Sequence, residues 1–282
     1  MKNILIDISG KIDNSYIEPL IEIKNSAEGL NMQFFVIGAF ARDIIMEYFH
    51  RIKAPRMTMD IDLGIRISNW NQFDSLITKL ESSGKFKKTR EKQRIIYKDK
   101  VIIDLVPFGN ISNKDEKISW PPENEITMSV LGFNEIYNNS TIVRLKNNPP
   151  LELKIPTLPG LAVLKLLSWS DNYPDRSKDA EDLFFILINY EYTGIENKLY
   201  ESELSILESE GFDNQAAGII LLGREMKIIS SKKTVKCIRE VLNNETSENS
   251  NYNLIRDISI NSKISFDKIL FLIEKLKKGF NN

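Results

Sequence analysis

Apolar and polar positions alternate along this chain with two different periods, and the periods divide it. Residues 14–30 repeat apolar positions at helical spacing, and Gly29 predicts the stop. Residues 33–37 (QFFVI) form a short apolar run suited to a buried strand; it ends at Gly38, and a second helical pattern occupies 40–51. Residues 59–67 (MDIDLGIRI) alternate as a strand does, whereas 69–83 place Trp70, Phe73, Ile77 and Leu80 on one helical face. Two further strand patterns, 94–97 and 101–106, flank a turn at Lys98-Asp99-Lys100. The middle, around Trp120-Pro121-Pro122 and 147–150, predicts loops, and 151–156 predicts a last strand. Beyond Pro159-Gly160 long helical periods take over and strand signals fade. The expectation is an α/β (α+β) mixed-sheet domain over residues 1–156 and a helical domain over 157–282. The polar stretch 243–252 predicts an exposed loop.

Composition narrows the function classes. Of 282 residues, 42% are hydrophobic and 27% charged, a globular balance that excludes disorder or a fibrous repeat as the main state. Lys and Arg number 38 against 39 acids, so any nucleic-acid surface must be local. A single Cys and a single His exclude a disulfide framework, a multi-thiolate or His-rich metal site, and argue against a Ser-His-Asp mechanism. The opening residues carry acids at Asp7 and Asp13 and lack the apolar run of a signal peptide. No stretch approaches 18 apolar residues, so a soluble, cytoplasmic protein without a membrane partner is expected.

The informative chemistry lies on the strands. Asp60 and Asp62 stand at i and i+2 in an alternating run, so both side chains leave one face while Ile61 and Leu63 enter the core. Two carboxylates side by side repel unless a cation joins them. Asp104 is a lone acid within Val101–Val106, where burial without a partner is costly. Neighbouring strands would bring the three together as oxygen ligands for magnesium; the alternative is a solvated strand end. Before them, Val36-Ile37-Gly38-Ala39-Phe40-Ala41-Arg42-Asp43 reads as a strand, a small-residue turn and a helix start, which lets a phosphate approach backbone N–H groups. Asp43, Glu47, His50 and Arg51 share a polar stripe, while Arg42 falls among Ile45, Met46 and Phe49 and needs an anionic partner. Arg42 either serves the turn's ligand or forms a structural ion pair.

Jointly, Gly38-Ala39-x-x-Arg42-Asp43, Thr58-x-Asp60-Ile61-Asp62-Leu63 and the later Asp104 resemble the nucleotidyltransferases of the DNA polymerase β superfamily. A second block extends the likeness. Lys165 lies within the apolar helix pattern 158–169, either paired with an anion or snorkelling to the surface. Further on, Asp179 and Asp182 open an apolar helix, and Asp182 wants a cation from Lys165, Arg176 or Lys178. Together these blocks resemble the AbiEii/AbiGii-type toxin nucleotidyltransferases over roughly half the chain. That resemblance implies a bilobed protein, metal at Asp60 and Asp62, and triphosphate contacts from the turn and Lys165. It also implies a functional acid in the K-D-x-x-D helix, here Asp179 and Asp182. Ala39 departs from the family's usual Gly or Ser: it keeps the N–H and lacks the hydroxyl.

The resemblance thus implies transfer of a nucleoside monophosphate from a nucleoside triphosphate to an acceptor hydroxyl, with one or two magnesium ions. Gly38, Ala39 and Arg42 would hold the nucleotide with Lys165 and Arg176, and Asp104 would complete the metal site or accept the hydroxyl proton. The expected role is a toxin with a cognate antitoxin and an RNA acceptor, such as tRNA. Residues 85–100 carry eight basic residues against Glu91 and Asp99, which suits either an RNA backbone or a guarded strand edge. The alternatives are a small-molecule, antibiotic-type nucleotidyltransferase and a catalytically silent nucleotide-binding module. The basic run 227–239 reads as a solvated helix face, and neither His50 nor Cys237 calls for a role.

Overall fold

The fold is that of a computed structural model, which describes residues 5–56 and 58–282. The first four residues, part of the opening stretch that argues against a signal peptide, lie outside them. The chain divides into two compact units between Thr157 and Leu158.

Unit 1 is built on a five-stranded mixed sheet. Its strands are β2 (Gln33–Ile37), β3 (Asp60–Arg66), β4 (Phe86–Lys88), β5 (Arg94–Tyr97) and β6 (Val101–Phe108), in the order β2-β3-β6-β5-β4. Only β3 and β6 pair in parallel, as strands separated by a long crossover must. The crossover contains α3 (Trp70–Ser82), capped by Asn69, whose side chain accepts the Gln72 N–H at 3.1 Å. It buries Phe73, Leu76, Ile77 and Leu80. Strands β5 and β6 are joined by the three residues 98–100, a tight turn with positive φ at both Lys98 and Asp99.

A helix α1 (Asn14–Glu28) starts at Asp13, whose carboxylate accepts the Ser15 N–H. Directly after β2 comes α2 (Gly38–Asp43), which continues as a π-helical turn over Ile44–Phe49. A second sheet sets β1 (Leu5–Asp7) parallel to β9 (Thr141–Lys146) and β10 (Leu151–Ile155) antiparallel to it. A small hairpin of β7 (Lys117–Ser119) and β8 (Thr127–Ser129) and a helix α4 (Phe133–Asn138) occupy the region expected to be loops. Alternation in TIVRLK is the signal that marks β9.

Unit 2 is helical: α5 (Leu158–Asp171), α6 (Ser177–Asn189), α7 (Leu204–Ser209), α8 (Asn214–Ile229), α9 (Lys232–Glu245), α10 (Asn253–Asn261) and α11 (Phe266–Asn281). Its centre is the contact of α8 with α11. A Cβ on Gly279 would lie 2.0 Å from the Ile220 carbonyl oxygen, and one on Gly223 would lie 2.4 Å from that of Leu276, so the two backbones touch. The expected basic face at 227–239 is broken between Ser230 and Ser231 into two helices. The polar stretch 243–252 is not wholly an exposed loop. It begins inside α9, and Glu245 is buried because its carboxylate accepts the Leu254 N–H at 2.8 Å and caps α10. Among the described residues no helix is long and apolar enough to cross a membrane.

Candidate active site

Strand pairing sets the positions of the candidate carboxylates. Residues opposite each other in a sheet share a face, and the register pairs Asp62 with Asp104 across β3 and β6, and Ile37 with Asp62 across β2 and β3. Asp60, two residues before Asp62, leaves the same face. All three acids are half-buried, while Ile61, Leu63, Ile103 and Leu105 on the opposite face are fully buried. That core fixes the register, because a slip by one residue would turn the acids inward and the isoleucines out.

Asp104 has a partner that the sequence did not announce. Arg94 stands opposite it on β5 and donates from Nε to Oδ1 and from Nη2 to Oδ2, each at 2.8 Å. These bonds hold the guanidinium well above its usual range, against the opposing effect of partial burial. The register places Asp60, Asp62 and Asp104 on one sheet face with Arg94 against the last of them, and among the described residues no group of three or more His, Cys, Asp or Glu is already drawn together as for a metal.

Asp62 in turn is packed against the turn after β2. Gly38 has φ +69°, and a Cβ there would lie 2.0 Å from Asp62 Oδ2 and 2.9 Å from its Cβ. Glycine is thus required twice, for the left-handed backbone and for the carboxylate above it. Ala39 follows in the first turn of α2. Arg42 points inward as expected and is fully buried; it donates to Asp43 from Nε at 2.8 Å and from Nη2 at 2.5 Å, and to the Arg56 carbonyl oxygen from Nη2 at 3.3 Å. Asp43 was expected on the exposed stripe with Glu47, His50 and Arg51, and it is buried instead. The π-helical turn changes the angular spacing there, so a 3.6-residue wheel misplaces the stripe.

Within unit 2, Lys165 is one of the buried charges and does not snorkel. Its Nζ lies 2.7 Å from Asp179 Oδ1 and 2.7 Å from Asp182 Oδ2. Ser168 Oγ donates to Asp179 Oδ2 at 2.8 Å, and Arg176, half exposed, approaches the same oxygen at 3.9 Å. Burial would push the ammonium down; the two carboxylates outweigh it and hold Lys165 above the usual lysine range. Of the three cations considered for Asp182, Lys165 lies at ion-pair distance.

The model of the nucleotidyl transferase AbiEii toxin family, type IV toxin–antitoxin system, matches residues 22–227. The chain belongs to this family. As an AbiEii-family member it is a nucleotidyltransferase. Among solved structures the chain is similar to ANT(2'')-Ia in complex with adenylyl-2''-tobramycin, at 12% identity over 70% of this chain and 97% of that one, TM-score 0.36. It is also similar to an antigenic nucleotidyltransferase-like protein from Paracoccidioides brasiliensis, at 15% identity over 70% and 91%, TM-score 0.38. A third is the Thermotoga maritima CCA-adding enzyme complexed with tRNA, at 14% identity over 96% and 82%, TM-score 0.32. No curated protein matches the chain.

The basic segment of this AbiEii-family chain is compensated in space. Lys85 pairs with Glu22, Lys87 with Asp99, Lys88 with Glu81, Lys92 with Glu123 and Lys98 with Glu18, in addition to Arg94 with Asp104. Five of these six acids lie outside residues 85–100, so a count along that segment cannot register them.

Proposed function

We propose that this enzyme transfers a nucleoside monophosphate from a nucleoside triphosphate to an acceptor hydroxyl, releasing pyrophosphate, at the Asp60–Asp62 face of β3. The observation that carries this is the placement of Asp60 and Asp62 on one strand face, with Asp62 in register with Asp104 and seated against the Gly38 turn.

The donor set fits a divalent cation. Carboxylate oxygens are hard ligands, and carboxylates side by side on one strand face favour magnesium carrying substrate phosphates. Asp60 and Asp62 would hold the ion, with Asp104 as the third carboxylate. When bound, the cation supplies charge stabilisation for the phosphates and for the attacking and leaving oxygens. Asp104 is poorly disposed as a base because both its oxygens already accept hydrogen bonds from Arg94. The N–H groups of Gly38 and Ala39 would receive phosphate oxygens, and Arg42 with Asp43 fixes the helix that follows the turn. Lys165 and Arg176 are assigned to the triphosphate on family resemblance, with Asp179 and Asp182 holding Lys165 in its charged form.

We assign the biological role of a toxin, acting in the cytoplasm on RNA and restrained by a cognate antitoxin; the family's type IV toxin–antitoxin description supports this. A second acceptor class has an observation in its favour. The ion pairing of residues 85–98 removes much of the positive field that a long RNA backbone would use, which suits a small alcohol such as an aminoglycoside. Incubation with magnesium, each α-labelled triphosphate, and either total RNA or a panel of small alcohols separates the two. Label on RNA supports the toxin assignment, label on a small alcohol overturns it, and label on neither leaves a nucleotide-binding module.

A further inference from the structure

Arg94 was counted in the sequence as one of eight basic residues, yet it differs from the other seven in where it lies. It sits on the sheet face of Asp60, Asp62 and Asp104 and forms a two-pronged ion pair with Asp104, whose side chain is only 15% exposed. Its charge also acts on Asp60, which has no ion pair of its own among the described residues. Carboxylates gathered on one face repel one another. A guanidinium whose flat fork matches both oxygens of one of them relieves that repulsion and fixes its rotamer.

We propose that Arg94 is a resident counter-cation that competes with the divalent metal for Asp104. Arg94 donates to both Asp104 oxygens, and a metal at Asp104 requires at least one of them to leave the guanidinium. Arg94 is then a positioning residue acting through Asp104. It lowers affinity for the metal alone and delays completion of the site until a triphosphate brings the metal with it. This inference rests on the proposed metal site at Asp60 and Asp62.

The experiment titrates manganese, alone and without nucleotide, into the full-length protein, with bound metal read by electron paramagnetic resonance and by calorimetry. Arg94→Met is expected to bind manganese about twofold to fivefold more tightly than the native chain, the range for releasing a partly exposed ion pair. Arg94→Lys, which keeps the charge and loses the fork, is expected to fall between them and guards against a folding defect in the first variant. In an Asp104→Asn background, Arg94→Met should bring no gain. Unchanged or weaker binding in Arg94→Met would overturn the competition. So would a gain that persists in Asp104→Asn, because it would reflect general charge removal. Asp60→Asn and Asp62→Asn test the underlying site separately: if neither weakens manganese binding, the metal assignment itself fails, whatever Arg94 does.

Discussion

Substituting Gly38 by Ala tests the tightest contact of the proposed site. The residue sits at φ +69°, where an L side chain costs about 1–2 kcal/mol. The added Cβ would also meet Asp62 Oδ2 at 2.0 Å, Cγ at 2.7 Å and Cβ at 2.9 Å. The last contact lies next to the β3 backbone, so rotation of the carboxylate alone does not relieve it. An off-rotamer Asp62 adds about 1 kcal/mol. The stiffer unfolded chain returns about 0.5 kcal/mol, leaving a loss of about 2 kcal/mol. Urea denaturation should show that loss, with a melting temperature lower by about 4–8 °C. Because Asp62 is displaced, manganese affinity should fall in the same variant. In an Asp62→Ala background the Oδ2 and Cγ contacts are gone, and Gly38→Ala should then cost about 1 kcal/mol less. Native stability and native metal affinity in the Gly38→Ala protein, or an equal cost in both backgrounds, would refute the packing of Asp62 on the turn.

Lys165→Met leaves two buried carboxylates facing each other and should destabilise by about 3–5 kcal/mol, measured by chemical denaturation; Asp179→Asn and Asp182→Asn added to it should recover part of the loss. Burial raises the Glu245 carboxyl above its ordinary 4.5, outweighing the Leu254 N–H that favours the charged form, so its contribution to stability is present below pH 4.5 and is lost as pH rises through the folded-state value. Glu245→Gln should accordingly gain on the native chain as pH rises above 4.5 and approach it in acid, as read from urea midpoints across that range. Asp99→Gly places glycine at the second positive-φ position of the β5–β6 turn and should raise stability by up to about 1 kcal/mol, the turn strain removed exceeding the exposed Lys87–Asp99 pair lost.

The period-two strands and the acids on them were legible because one face of β3 and β6 is fully apolar, which leaves a single register. Gly38 was legible as a turn, but its contact with Asp62 was not, since that depends on which strand lies beside β2. Arg94 was missed for the same reason. It is ten residues from Asp104 and becomes its partner only through the hairpin turn at Lys98 and Asp99. The ion pairs of the basic segment were not legible because the acids Glu18, Glu22, Glu81 and Glu123 are distant in sequence. Asp43 was misplaced by the π-helical turn, which no hydrophobic spacing in residues 40–51 reports. Lys165 and Asp182 were legible as charges in apolar helices that needed each other, and they are paired at 2.7 Å.

The most direct test of nucleotidyl transfer at the β3 face is label transfer by the native protein and by the Asp60→Asn/Asp62→Asn protein. Both would be supplied with magnesium, the four α-labelled triphosphates, total RNA and a panel of small alcohols. The native chain is expected to move label onto one acceptor class with release of pyrophosphate. The double variant, with native circular dichroism and melting behaviour, should move none. Equal labelling by the two proteins would contradict transfer at this face.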